Sequence, residues 1–262
     1  MTKDKKQYNI GVTMSGGGVR GFAHIGALKA LSEAGIEPDI MSGTSAGAIA
    51  GALYADGHKP DDIIKMFNET KLFKYVEFII PKRGLLKMTG LSRVIQQNLV
   101  AKTFEELPIP LYIAATNLSN GKCEYFSEGE LFRRVMASST IPVLFPPLLM
   151  NGKTYVDGGV INNFPTEPIE DKCNFMIGIH VNPLVPVDEF TSLMGIAERS
   201  FHLSFSGQLA AKEKKCDIFI EPKGIGNYKL MEVSKIKEIY NLGYKETKRI
   251  LKENKELLDA NT

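Results

Sequence analysis

Gly43-Thr44-Ser45-Ala46-Gly47 sets one serine between two glycines at the head of an apolar, alanine-rich run that continues to Leu53. A hydroxyl on a sharp strand-to-helix turn needs small neighbours, because glycine alone tolerates the positive backbone angles and close approach that such a turn imposes. The pattern therefore predicts a strand before Ser45 and a helix after it, with Gly43 and Gly47 supporting the elbow. Ser45 is the candidate nucleophile. Two more segments supply what a bare serine lacks: Gly16-Gly17-Gly18-Val19-Arg20-Gly21, rich in backbone amides, and Asp157-Gly158-Gly159, a carboxylate on a turn. Together they point to acyl-ester hydrolysis.

The order of elements sets the fold class. Tyr8 to Met14 is a short apolar run that meets the glycine cluster, and Phe22, Ile25, Leu28 and Leu31 then recur at helical spacing up to Gly35. Pro38 to Ser42 gives a second strand, feeding the serine turn and a helix to about Gly57. Pro110 to Ala115 and Asn174 to Val181 are continuous apolar runs of strand length. Glu130 to Ala137 and Ser192 to Lys215 read as helices. This alternation predicts an α/β fold with a mainly parallel sheet covered on both faces. Ligands bind such sheets at the carboxyl ends of the strands, so the glycine loop and serine turn belong on one edge.

Gly16-x-Gly18-x-x-Gly21 also fits a dinucleotide fingerprint, which wants an acidic residue at the end of the second strand. Glu37 and Asp39 precede that strand, and its end carries Ser42-Gly43-Thr44-Ser45 instead. Unhindered amides at a helix N-terminus make an anion cradle, and in acyl transfer the developing anion is the carbonyl oxygen. Arg20 is placed to brace that loop.

A serine needs a base. His24 lies inside the first helix, His58 follows a helix stop, His180 sits in an apolar strand and His202 in a helical pattern. Asp157 ends a short strand, and Gly158-Gly159 lets the chain turn away from its carboxyl. At the ordinary aspartate value, about 3.9, this group is a weak base, so catalysis would lean on oxyanion donors and positioning.

Composition excludes several classes. The 262 residues carry 32 basic and 30 acidic side chains, a net charge of +2 that gives no electrostatic case for nucleic acid. Cys123, Cys173 and Cys216 form neither a disulfide framework nor a zinc pattern, and the histidines lack ligand spacing, so no metal and no cofactor are expected. The polar start and the absence of an apolar run of about 20 residues predict a cytoplasmic protein without a membrane span. Leu72 to Met88 mixes aromatic and aliphatic residues with Lys74, Lys82, Arg83 and Lys87. It reads either as a lipid-touching border of the entrance or as a connection buried against the sheet. Val233, Ile236, Tyr240, Gly243, Tyr244, Thr247, Ile250 and Leu251 recur at helical spacing opposite Lys235, Lys237, Lys245, Lys248 and Lys252, favouring a final helix docked on the core over one lying on lipid.

The Gly16 to Gly21 loop running into His24-Ile25-Gly26, the Gly43 to Gly47 elbow and the Asp157-Gly158-Gly159 turn resemble the patatin-like phospholipases. Glu105 to Leu111, Ala137 to Pro147 and Val160 to Pro165 resemble landmarks of that family in the same order. The likeness spans residues 8 to 181, closest in style to compact bacterial members and to the esterase domain of neuropathy target esterase. It implies a three-layer α/β/α sandwich forming a single domain over 1–262, with a core at 8–181 and a helical part at 190–260. It further implies a lipid acyl hydrolase acting on phospholipid or another acyl ester, with peripheral membrane contact. By motif position Ser45 becomes the nucleophile and Asp157 the base of a dyad, with Gly16, Gly17, Gly18 and Arg20 as the oxyanion loop. An α/β-hydrolase triad of Ser45, Asp157 and His180 or His202 is the rival, although its elbow normally follows several strands. A catalytically silent lipid-binding regulator is the other, and the intact serine, aspartate and glycine loop argue against it.

Overall fold

The computed structural model describes residues 6–69, 89–186, 189 and 193–260. The apolar, basic segment 72–88 lies outside them. In chain order the regular elements are β1 (Tyr8–Met14), α1 (Phe22–Glu33), β2 (Ile40–Thr44), α2 (Ala46–Ala55), α3 (Pro60–Glu69), α4 (Thr89–Asn98), β3 (Leu111–Asn117) and β4 (Lys122–Phe126). They continue as α5 (Leu131–Ser138), β5 (Leu148–Met150), β6 (Lys153–Asp157), β7 (Cys173–Ile179), α6 (Leu193–Ser206), α7 (Leu209–Glu213), β8 (Ile218–Ile220), α8 (Ile236–Glu253) and α9 (Lys255–Asp259). The helix read over Ser192 to Lys215 is two helices, α6 and α7, parted at Gly207.

The strands form one sheet in the order β5-β6-β3-β2-β1-β7-β8, with β4 also paired to β3. β1, β2, β3, β7 and β8 are parallel, whereas β4 and β6 both run antiparallel to β3. Side chains alternate across the sheet as strand geometry requires. Ile10, Val12, Met14, Phe175, Ile177 and Ile179 enter the main core, which also takes in Leu28, Leu31 and Leu53 from α1 and α2 and Ile239 and Leu251 from α8. On the other face Thr13 and Ser42 both donate to the Pro165 carbonyl, and Ile40, Ile169, Cys173 and Met176 form a smaller cluster. The third layer is thus thin, made by the 158–172 segment with α6 and α7. The fold is the expected three-layer α/β/α arrangement around a mainly parallel sheet.

Helix α8 is docked, not free. A Cβ on Gly26 would lie 2.1 Å from the Tyr240 carbonyl oxygen, and one on Gly243 would lie 2.1 Å from that of Ala23. Only glycine at both positions lets the two backbones cross this closely. Ile236, Ile239, Tyr240, Thr247, Ile250 and Leu251 are buried by the contact, while Lys237, Lys245, Lys248 and Lys252 face solvent.

The edge geometry of β3 brings distant parts of the chain together. β4 occupies one side of Ile113–Asn117, so β2 and β6 share the other side. β2 advances along it until Thr44 stands opposite Ala114, and β6 comes from the opposite direction until Asp157 stands opposite Ala115. The two strands meet end to end.

Candidate active site

Ser45 occupies the turn at the end of β2 with φ 53° and ψ −116°, one of three non-glycine residues with positive φ among the described residues. Holding a serine there costs on the order of 1–3 kcal/mol and requires its surroundings to over-determine it. They do so by contact. A Cβ on Gly43 would lie 2.5 Å from the Gly47 carbonyl carbon, and one on Gly47 would lie 2.4 Å from the Met14 oxygen, so α2 is seated directly on the ends of β1 and β2. The Ser45 amide donates to Ser138 Oγ at 2.8 Å, and that hydroxyl donates in turn to the Ala114 carbonyl at 2.7 Å.

Asp157 is buried, with 1% of its surface exposed. Its Oδ1 accepts the Gly159 amide at 2.8 Å, and its own amide donates to the Thr140 carbonyl at 2.9 Å. Burial pushes the carboxyl up from 3.8 to about 7, while hydrogen bonding from Ser45 and from the Gly159 amide pulls the other way without prevailing. Oδ2 is enclosed and has no well-formed hydrogen bond to any described group. The Ser45 hydroxyl is near enough to the carboxyl to favour its ionised form, without a well-formed hydrogen bond between the two. The sequence expectation of an aspartate at its ordinary value is corrected here: removal from water makes Asp157 a far stronger base. Gly158 is forced by crowding, since a Cβ there would lie 2.3 Å from the Ala114 oxygen, whereas one on Gly159 would meet only side-chain atoms, Asp157 Oδ1 at 3.0 Å among them.

The glycine loop is laid over the elbow. A Cβ on Gly16 would lie 3.2 Å from Ser45 Cβ and one on Gly21 2.4 Å from Ala46 Cβ. The Ser15, Gly16, Val19 and Arg20 amides donate to Ile179, Asn163, Leu230 and Gly17 carbonyls respectively. The Gly17 and Gly18 amides engage no acceptor among the described residues. Gly16 therefore contributes close packing, and the unengaged donors are its two successors. Arg20 is buried, its Nε donating to the Tyr228 carbonyl at 2.7 Å, Nη1 to Asn182 Oδ1 at 2.8 Å and Nη2 to the Gly226 carbonyl at 3.1 Å.

Sequence reasoning missed several of these supports. Ser138, Thr140 and Asn163 lie in segments noticed only for their likeness to a family, and Leu230, Tyr228 and Gly226 lie in a stretch with no motif at all. The histidines have other work. His24 Nε2 pairs with the Ser15 carbonyl at 2.7 Å and burial lowers its pKa to about 3, so the ring is neutral and holds the strand end before the glycine loop. His180 Nδ1 pairs with Glu221 at 2.7 Å and His202 Nε2 with the Asn182 carbonyl at 2.9 Å. Among the described residues no group of three or more His, Cys, Asp or Glu side chains could hold a metal ion, and no helix is long and apolar enough to cross a membrane. Beyond Thr140 the chain carries Ile141, Leu144 and Phe145, packed with Phe201 and Met231, and Phe201 Cζ reaches within 3.0 Å of where a Gly159 Cβ would sit. A buried apolar cluster thus adjoins the buried carboxyl.

Comparison with known proteins identifies relatives of this chain in sequence and in fold. The chain is 27% identical over 271 residues to lysophospholipase NTE1 of Kluyveromyces lactis, covering 90% of this chain and 18% of the relative. It is 30% identical over 284 residues to lysophospholipase nte1 of Aspergillus terreus, covering 94% of this chain and again 18% of the relative. The chain therefore spans less than a fifth of the length of these curated relatives. Among solved structures VipD from Legionella pneumophila superimposes with a TM-score of 0.53 at 15% identity, over 94% of this chain and 67% of VipD. The type III effector protein ExoU does so with a TM-score of 0.50 at 14% identity, over 94% of this chain and 53% of ExoU. These two likenesses concern the fold. The family model for patatin-like phospholipase matches residues 12–169, a span that takes in the glycine loop, the elbow and the aspartate turn, and the chain belongs to that family.

Proposed function

We propose that this chain is a serine lipid acyl hydrolase in which Ser45 is the nucleophile and Asp157 its base. The observation that carries the reading is the strained Ser45 turn set against a buried carboxyl whose pKa stands at about 7. Asp157 accepts the Ser45 proton as Oγ attacks the ester carbonyl. The Gly17 and Gly18 amides hold the oxyanion that forms, each such donor being worth about 3–4 kcal/mol of barrier. The leaving group departs with a proton from Asp157, leaving an acyl-serine. Water then attacks the acyl carbon and gives a proton to the same aspartate, which returns it to Ser45 Oγ as the acyl–Oγ bond breaks and the fatty acid leaves.

The family and the names of its relatives favour a phospholipid or lysophospholipid ester as substrate, and the apolar cluster of Ile141, Leu144, Phe145 and Phe201 next to the dyad gives an acyl chain an apolar neighbour. Peripheral contact with a lipid surface belongs to the same proposal, as does a single domain, supported by a core that draws on Ile10 and Leu258 alike. The test is hydrolysis of a lysophospholipid and labelling by a fluorophosphonate, each compared with Ser45→Ala. Near wild-type hydrolysis by folded Ser45→Ala would end the proposal.

A further inference from the structure

We propose that Ser138 is a positioning residue that fixes the angle of the elbow, an inference that rests on the dyad reading above. Its hydroxyl accepts the Ser45 amide at 2.8 Å and donates to the Ala114 carbonyl at 2.7 Å, so one side chain at the end of α5 ties the turn to β3. Both groups that it satisfies are buried, as is Ser138 itself. Two residues on, the Thr140 carbonyl accepts the Asp157 amide at 2.9 Å. A span of three residues, Ser138 to Thr140, thus holds the backbone of both members of the dyad.

The physical demand is specific. Ser45 has φ 53° and ψ −116°, a conformation that relaxes when its restraints are removed. Without the Ser138 hydroxyl, the Ser45 amide and one lone pair of Ala114 lose their partner together, and the turn is free to shift Oγ relative to Asp157. A misplacement of about 1 Å at a reacting atom can cost roughly 100-fold in rate. Ser139 is the internal control: it is also buried and on the same helix end, but its hydroxyl donates backwards to the Val135 carbonyl at 2.9 Å.

The experiment compares Ser138→Ala, Ser138→Cys and Ser139→Ala in the full chain, reading kcat and KM on a soluble short-chain ester, the fluorophosphonate inactivation rate, and the thermal midpoint. Ser138→Ala is expected to lose about ten-fold or more in kcat and in inactivation rate while KM stays within about two-fold, because an interaction needed in the transition state is lost without loss of ground-state binding. Ser139→Ala is expected to keep kcat within about two-fold even where its thermal midpoint falls as far. Ser138→Cys, nearly isosteric but a poorer acceptor, should lie between wild type and Ser138→Ala, and it decides the matter if the alanine variant does not fold. Wild-type kcat in a folded Ser138 variant, or an equal loss in Ser139→Ala, would overturn the proposal. If wild type itself neither hydrolyses esters nor takes the label, the dyad reading fails, and this inference fails with it.

Discussion

Thr44 and Asp157 stand opposite consecutive residues of one strand, Ala114 and Ala115, because β2 and β6 run toward each other along the same side of β3. That head-on meeting is the origin of the site. A parallel sheet alone delivers loops to one edge, as β1 and β2 deliver the glycine loop and Ser45. A carboxylate arriving at the same point from the other direction needs an antiparallel strand that ends where the parallel one does.

Under the proposed dyad Ser45 and Asp157 act as one unit, so removing either should cost nearly as much as removing both. Ser45→Ala, Asp157→Asn and the double variant are each expected to lose about 1,000-fold or more in kcat on a lysophospholipid. Steady-state kinetics on folded protein checks this, and additive losses would contradict it.

Under the proposed dyad, activity should rise with pH through the region near 7, since the base must be ionised and the Asp157 carboxyl stands at about 7. The kcat/KM profile supplies the check. A plateau extending down to pH 5 would show an aspartate at its ordinary value.

The same shift bears on stability, with the opposite sign from a salt-bridged carboxylate. Asp157 has a folded value of about 7 against an ordinary 3.8, so its contribution to stability is fully present below 3.8 and is lost as pH rises through about 7. Asp157→Asn cannot ionise and avoids that loss. It should therefore gain roughly a few kcal/mol over wild type at pH 8.5 but little at pH 4. Chemical denaturation at the two pH values measures the difference.

Arg20→Lys keeps the charge and forfeits the fork that reaches Tyr228, Asn182 and Gly226. An ammonium cannot span these acceptors in the guanidinium geometry. The expected result is a kcat lower by about 10- to 100-fold with Ser45 still present, as the glycine loop proposed to hold the oxyanion loses its anchor. Kinetics alongside the thermal midpoint separates loop displacement from unfolding.

Gly243→Ala adds a methyl where the Ala23 carbonyl oxygen would lie 2.1 Å away, which forces α1 and α8 apart. Overpacking of this kind costs about 1–3 kcal/mol, and here the obstacle is backbone that cannot turn aside. A lower urea midpoint is expected. An unchanged midpoint would mean that the two helices do not cross as described.

The glycine pattern by itself determined the strand–loop–helix order, the elbow and the identity of Ser45 and Asp157 as candidates, because these depend on local backbone sterics that the sequence states directly. β5 and β8 are apolar but only three residues long, β4 interrupts its apolar residues with Lys122 and Glu124, and α3 and α4 had no motif attached. Only the folded chain decided the proton affinity of Asp157, since burial is imposed by residues far away in sequence. Tertiary structure also decided which amides of the glycine loop stay unengaged, because Asn163 and Leu230 take the Gly16 and Val19 donors from distant segments. Ser138 shows the same division: two adjacent serines look alike in the sequence, and only the placement of β2 beside β3 gives one of them the elbow to hold.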